Sequence, residues 1–231
     1  MAELSKAVVL LSGGLDSSTV LAIARERGHE AVALTFDYGQ RHDREIRCAR
    51  EVAKALGAVE HIVLQIPLGP LMDSSLTHAD RAVPEGRSRE DIAGGIPNTY
   101  VPSRNIIFLS IAASVAESMG AESVFIAANA VDFSGYPDCT PEFIQAFQRV
   151  MDVGTKAGKG GRPVRIEAPV IRMTKAGIVK EAVRLGVPLE LTWSCYKGGE
   201  RACGACDSCL LRLEGFRQAG EVDPLDYEVR P

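Results

Sequence analysis

The chain is 231 residues long, 46% hydrophobic and 24% charged, with a formal net charge of −4 and six cysteines. That length and composition predict one folded domain with its own core, and exclude a disordered chain, a collagen-like fibre and a small disulfide-stapled scaffold. The longest apolar stretch, residues 106–116, carries Ser110 and Ser114 and is too short for a bilayer. The first residues lack a secretory pattern, and a pI near 5.7 argues against a broad nucleic-acid footprint. A soluble, cytoplasmic protein is the expectation. The cysteines stand out, because four of the six fall within residues 195–209.

In chain order, residues 6–11 (KAVVLL) read as a buried strand, and 16–27 as a helix stopped by Gly28. Residues 31–36 (AVALTF) give a second strand, 42–56 a helix with Ile46, Ala49, Val52, Ala53 and Leu56 on one face, and 59–66 a third strand. Residues 67–103 lose all periodicity and predict a long functional or mobile loop. The rhythm resumes with a helix over 104–119 and a strand over 122–127. Thr140-Pro141 then caps a helix over 142–153. A second flexible stretch is predicted at 155–163, then a strand over 164–168 and a helix capped by Thr174 and running to residue 185. Strands separated by helices predict a doubly wound α/β fold with a mainly parallel sheet, whose ligands gather at the carboxyl ends of the strands. Ser12–Ser18, Asp37 and Asn129–Asp132 each follow a predicted strand and are expected to crowd one edge.

Residues 12–18 (SGGLDSS) lie between a strand and a helix start. Two glycines allow close backbone approach, the helix beyond offers unpaired N–H groups, and Ser12, Ser17 and Ser18 add hydroxyls, which together suit a phosphate. Taken alone, a Gly-Gly turn capped by Asp16 is the plainer reading. The loop is neither GxxxxGK[ST] nor GxGxxG. It resembles the SGGxDS motif of the ATP pyrophosphatase (PP-loop) superfamily, which implies a Rossmann-like fold of the adenine nucleotide α-hydrolase type and an enzyme that splits ATP into AMP and pyrophosphate.

Cys195, Cys203, Cys206 and Cys209 form C-x₇-C-x₂-C-x₂-C, a spacing whose four soft ligands suit a closed tetrahedral Zn²⁺ site. An iron–sulfur cluster is the competing reading. A structural zinc would pin Trp193 and Tyr196 against the nucleotide-binding part, in a C-terminal segment of about residues 193–215 within a single domain spanning 1–231. Cys48 reads as an ordinary small hydrophobe.

With NTYVPSRN (98–105), NAVDFSGYPDC (129–139) and TWSCYKGGERACGACDSC (192–209), the chain resembles the 7-cyano-7-deazaguanine synthase family nearly end to end. Thr140 stands where that family more often carries Arg. The resemblance implies an ATP-dependent ligase that adenylates 7-carboxy-7-deazaguanine, takes ammonia to form an amide, and adenylates the amide to leave a nitrile. It implies ATP, Mg²⁺ and Zn²⁺, a homodimer, and ammonia arriving free or from an unlinked donor. It places the nucleotide against Leu11, Ser12, Gly13, Gly14, Leu15, Asp16, Ser17, Ser18, Thr19, Val20 and Leu21, with Asp37 near the adenosine. Ser12, Asp16 and Arg104 are the expected catalytic residues. Residue chemistry adds Arg104 as a planar fork for the carboxylate, Asn105 beside it, and Asp132 and Asp138 as acceptors for the base edge. A tRNA thiolase using Cys139 and a non-enzymatic nucleotide sensor are the alternatives.

Overall fold

Residues 7–10 are buried without alternation, which requires a central strand covered on both faces. The computed structural model describes residues 5–131 and 135–230. The all-buried strand is β1 (Lys6–Leu10), flanked in parallel by β2 (Glu30–Asp37) and β4 (Ser123–Phe125), with β3 (Glu60–Gln65) and β5 (Arg165–Glu167) at the edges. The order β3-β2-β1-β4-β5 reverses direction beside β1. Odd residues of the first strand (Ala7, Val9, Leu11) pack with α1 (Leu15–Glu26), α2 (Arg44–Ala55), α7 (Lys175–Arg184) and α8 (Asp207–Ala219). Even ones (Val8, Leu10) pack with α4 (Arg104–Met119) and α5 (Pro141–Gly154). Two cores on opposite faces of one sheet follow directly from the period of two. The fold class is therefore the expected one.

The structure corrects three stretches. Residues 67–103 are not structureless: they hold a 3₁₀ turn at Gly69–Leu71 and α3 (Arg89–Ala93), the latter begun by a capping box between Ser88 and Asp91. Arg41 fastens this region, its guanidinium donating to the carbonyls of Ser75, Ala79 and Arg81 at 2.8–3.1 Å. The stretch after α5 forms α6 (Lys156–Lys159), capped by Thr155 and held by Glu117 through the Ala157 N–H at 2.7 Å. The helix α8 has no counterpart among the sequence expectations. Thr140 and Thr174 cap as expected, accepting from Phe143 N and Gly177 N at 3.1 Å. Thr140 thus serves as a helix cap. No helix among the described residues is long and apolar enough to cross a membrane.

At the end of β1, Gly13 adopts φ +83°, and a Cβ there would stand 2.4 Å from the Glu45 carbonyl oxygen and 2.6 Å from the Ala49 amide. The absent side chain is what lets α2 close on the loop. Gly28 has the same φ, +84°, with nothing within 4 Å of a would-be Cβ. Gly28→Ala therefore pays backbone strain alone, about 1 kcal/mol, whereas Gly13→Ala pays strain and a backbone collision, at least about 3 kcal/mol. Urea unfolding of the two variants checks this, and equal losses would show that the α2 contact is soft.

Candidate active site

The reversal of strand order opens a crevice at the carboxyl end of β1 and β4, and a cavity of about 270 Å³ lies there. Its floor is the glycine loop: Leu11, Ser12, Gly14, Leu15, Asp16 and Ser17 all line it. α1 starts directly at this loop, with Gly14 as its extended N-cap, so first-turn N–H groups without helical partners face the crevice. Asp16 is not the cap. Ser12 and Ser17 share a hydroxyl hydrogen bond of 2.9 Å. Ser18 and Thr19 turn inward instead, their hydroxyls donating to Gly14 O (2.7 Å) and Leu15 O (2.8 Å). These two, with Val20 and Leu21, are fully buried in α1 and hold the helix rather than the cavity. Gly13 acts through its close approach to α2.

Asp16 is tied to a residue the sequence reading passed over. Lys175 Nζ donates to both carboxylate oxygens, at 2.9 and 2.7 Å, and is itself only 6% exposed. A lysine in the first turn of a helix opposes the helix dipole. That misfit was the available signal that Lys175 serves something other than α7. Its stem passes over Gly215 of α8, where a Cβ would lie 2.4 Å from Lys175 Cγ.

The opposite wall comes from α4. Ser103, at φ 57°, turns the chain so that Arg104 and Asn105 open the helix into the cavity, and Tyr38 receives a long 3.4 Å contact from Arg104 Nη1. Asp138 is buried, accepting from the Asn105 N–H at 3.1 Å. Asn105 Nδ2 in turn donates to Asp138 O at 3.0 Å and contacts Cys139 Sγ at 3.3 Å. Asp138 thus positions the start of α4 and does not line the cavity. Asp37 lies outside it too, its carboxylate accepting from Gln65 at 3.3 Å, whereas its neighbours Tyr38 and Gln40 are in the lining. Asp132 falls outside the described residues.

Glu45 also lines the cavity, on the first turn of α2. Burial raises its carboxyl to about 7, against the pull of Arg104 and with the charge of Cys195 adding to the rise. Nothing local marks it, since a glutamate in a first helical turn is ordinary. Cys139 is pushed up to about 11, by burial first and then by Asp138. It is a protonated thiol, which argues against a sulfur-carrying role.

The four C-terminal cysteines are buried with their Sγ atoms within 4.8 Å of one another. Ligands of a tetrahedral zinc stand about 3.8 Å apart, given Zn–S bonds near 2.3 Å. Cys203 and Cys209, at 3.9 Å, already match. Cys195 is driven toward thiolate by hydrogen bonds from Cys206 and Cys209, while Cys206 is pushed up to about 12. Backbone N–H groups of Lys197 and Cys203 point at Cys195 Sγ, and those of Ala205 and Cys206 at Cys203 Sγ, all at 3.3–3.4 Å. Four sulfurs with amide support fit one closed, tetrahedral metal ion. Trp193 N donates to Gly13 O at 2.8 Å, and the Arg44 guanidinium lies 3.8 Å over the Trp193 ring while donating to the carbonyls of Gly199 and Glu200. The segment is therefore joined to the glycine loop and to α2 through Trp193.

The family model described as queuosine biosynthesis protein QueC matches residues 6–220. A protein of Anaeromyxobacter dehalogenans named 7-cyano-7-deazaguanine synthase is 54% identical over 228 residues, covering 97% of each chain. One of the same name from Azoarcus sp. is 53% identical over 232 residues, covering both chains fully. Among solved structures, the NMN synthetase of Francisella tularensis matches with a TM-score of 0.50 at 13% identity, over 95% of this chain and 79% of that one, which bears on the fold alone. With the family model spanning nearly the whole chain, and relatives more than half identical end to end, the chain belongs to the QueC family and is an enzyme of queuosine biosynthesis.

Proposed function

We propose that this enzyme converts 7-carboxy-7-deazaguanine, ammonia and two ATP into 7-cyano-7-deazaguanine, two AMP and two pyrophosphate. The observation that carries the reading is that the glycine loop, the Asp16–Lys175 pair and Arg104 meet in one cavity. The names of the relatives supply the product. The cavity supplies the parts that the chemistry requires.

A carboxylate cannot take ammonia directly, because oxide is a poor leaving group. Adenylation replaces it with AMP. As the α-phosphate is attacked, negative charge grows on the departing pyrophosphate, and the N–H groups beginning α1, together with Lys175, face that charge. Mg²⁺ would be held by Asp16, whose oxygens keep lone pairs beyond those used by Lys175, and supplies charge neutralisation on the phosphates. Ser12 donates to the same phosphates. Arg104, a planar fork on the facing wall, holds the carboxylate in line, with Asn105 beside it and Asp138 fixing both through the helix start. The amide oxygen formed in the first half takes the same place in the second.

Cys195, Cys203, Cys206 and Cys209 hold Zn²⁺, which supplies cross-linking and not catalysis, since four thiolates leave no open position. The chain acts as a single domain with residues 193–215 as its zinc segment. It works as a homodimer in the cytoplasm, on a free base. The net charge of −4 supports a substrate that is not RNA.

Mass spectrometry of a reaction containing ATP, Mg²⁺, ammonium and the deazaguanine acid is expected to show the nitrile and AMP, and no turnover by a protein that binds ATP would overturn the reading. Lys175→Met is expected to cut acid-dependent pyrophosphate release at least about 100-fold and to lower the melting temperature by stranding Asp16. A variant that melts lower yet releases pyrophosphate normally would make Lys175 purely structural. Elemental analysis is expected to find one zinc per chain, and Cys203→Ser is expected to lose it and melt lower by several degrees. Unchanged zinc content in that variant would remove Cys203 from the ligand set.

A further inference from the structure

The reaction proposed above, on which this inference rests, breaks every N–H bond of the incoming ammonia. Starting from ammonium, one proton leaves to free the lone pair and one leaves as the amide forms. Two more leave when the adenylated amide collapses to C≡N. Of the residues assigned so far, Ser12, Lys175, Arg104 and Asn105 are cations or hydrogen-bond donors, and the carboxylates of Asp16 and Asp138 are engaged by Lys175 and by the Asn105 N–H.

The titratable groups lining the cavity narrow the choice. Asp16 is salt-bridged to Lys175 through both oxygens and is the residue assigned to Mg²⁺. Burial raises Tyr38, Tyr136 and Tyr196, which stay protonated at neutral pH, and Cys139 is likewise a thiol. His42 lines the cavity as well, but Gly198 packs on its ring, where a Cβ would lie 2.1 Å away, and burial lowers its affinity for a proton. Glu45 differs from all of these. It lines the cavity, and its side chain forms no hydrogen bond or ion pair among the described residues. Its backbone abuts Gly13 through the would-be Cβ contact of 2.4 Å, so it is fixed beside the loop that seats the phosphates. Arg104 acts on it electrostatically from the facing wall. Glu45 and Arg104, to which the substrate carboxylate is assigned, therefore line one and the same cavity.

We propose that Glu45 is the ammonia-receiving catalytic residue: its carboxylate attracts ammonium, takes the proton that frees the lone pair, and takes the later N–H protons in turn. In the first half the nitrogen–carbon bond forms, the carbon–oxygen bond to AMP breaks with its electron pair leaving on AMP, and the nitrogen proton passes to Glu45. In the second half the amide oxygen displaces pyrophosphate from ATP. The carbon–oxygen bond to AMP then breaks as two N–H protons depart. A carboxylate holds one proton at a time, so Glu45 hands each to solvent before accepting the next.

The test exchanges the nucleophile. Hydroxylamine is already unprotonated at neutral pH and traps an acyl adenylate as a hydroxamate without needing a base. In Glu45→Gln, acid-dependent hydroxamate formation from ATP is expected to stay within about threefold of the parent, while amide and nitrile from ammonium fall about 100-fold or more. In Glu45→Asp, the ammonium reaction is expected to exceed that of the Gln variant. If hydroxamate and amide fall together, Glu45 serves ATP, the acid or the fold, and the proposal is overturned; if neither falls, it is equally overturned. Should the Gln variant fail to fold by circular dichroism, the Asp variant carries the same comparison, and an equal drop with both nucleophiles overturns the assignment. A parent enzyme that forms neither hydroxamate nor nitrile brings down the proposed reaction itself, whereas the Glu45 assignment fails alone only where the parent turns over.

Discussion

One backbone hydrogen bond joins parts of the chain that lie 180 residues apart: the Trp193 N–H to the Gly13 carbonyl, at 2.8 Å. Gly13 belongs to the turn after β1 and Trp193 to the segment entering the cysteine cluster. Such a bond is worth about 1 kcal/mol by itself. Its weight comes from what it keeps in register. A glycine at φ +83° aims its carbonyl away from α1, and Trp193 meets it there. The loop is thereby fixed from outside its own helix, so its N–H groups stay aimed into the crevice instead of relaxing with the first turn of α1.

That joint holds only because the segment carrying Trp193 is itself immobilised. Arg44 covers the indole and donates to two carbonyls further along, linking the first turn of α2 to the same stretch. Arg212 of α8 is buried, with its guanidinium forked onto Asp223 at 2.7 and 3.0 Å and bonded to Thr192 Oγ1 at 2.8 Å. Tyr227 completes the carboxylate with a 2.6 Å hydrogen bond. A charge buried to this degree is tolerable only when fully paired, and removal of one partner costs about 3–5 kcal/mol. The cysteine cluster lies between these two fastenings. Arg87 reaches it from the long loop by pairing with Asp207, at the first turn of α8. The scaffold role inferred for the cysteines is therefore reciprocal. They brace the glycine loop, and the long loop braces them.

How much of this was legible in the sequence depends on whether a residue announces itself locally. Thr140 and Thr174 did, because a cap is a contact between neighbours. The buried strand, the glycine turn and the cysteine spacing did as well, each being a short-range pattern. The helix α8 did not: its inward face includes Asp207, Arg212 and Gly215, which erases the apolar period on which recognition rests. Lys175 and Glu45 did not, since each matters through a partner or a cavity more than a hundred residues away in the chain or across the crevice. Asp37 and Asp138 illustrate the reverse case. Each follows a strand or turn at the right edge of the sheet, yet one is engaged by Gln65 and the other by the start of α4. Position at the carboxyl end of a strand is necessary for a cavity residue and does not suffice.

The charges in the crevice then follow a division of labour set by the fold. Cations and N–H donors come from elements whose starts converge on the β1 end: α1 through its free amides, α7 through Lys175, α4 through Arg104. A site built from helix beginnings alone would bind anions and release them slowly, with no means of handling protons. The second helix also begins there, but it brings a carboxylate in its first turn, held against the loop by the missing side chain of Gly13. A helix N-terminus favours the ionised form of such a group, whereas burial favours the neutral one. The two effects oppose each other at Glu45, and burial wins by enough to bring its carboxyl to about 7. The same close approach that shapes the phosphate loop thus also sets one carboxyl apart from the cationic remainder of the cavity.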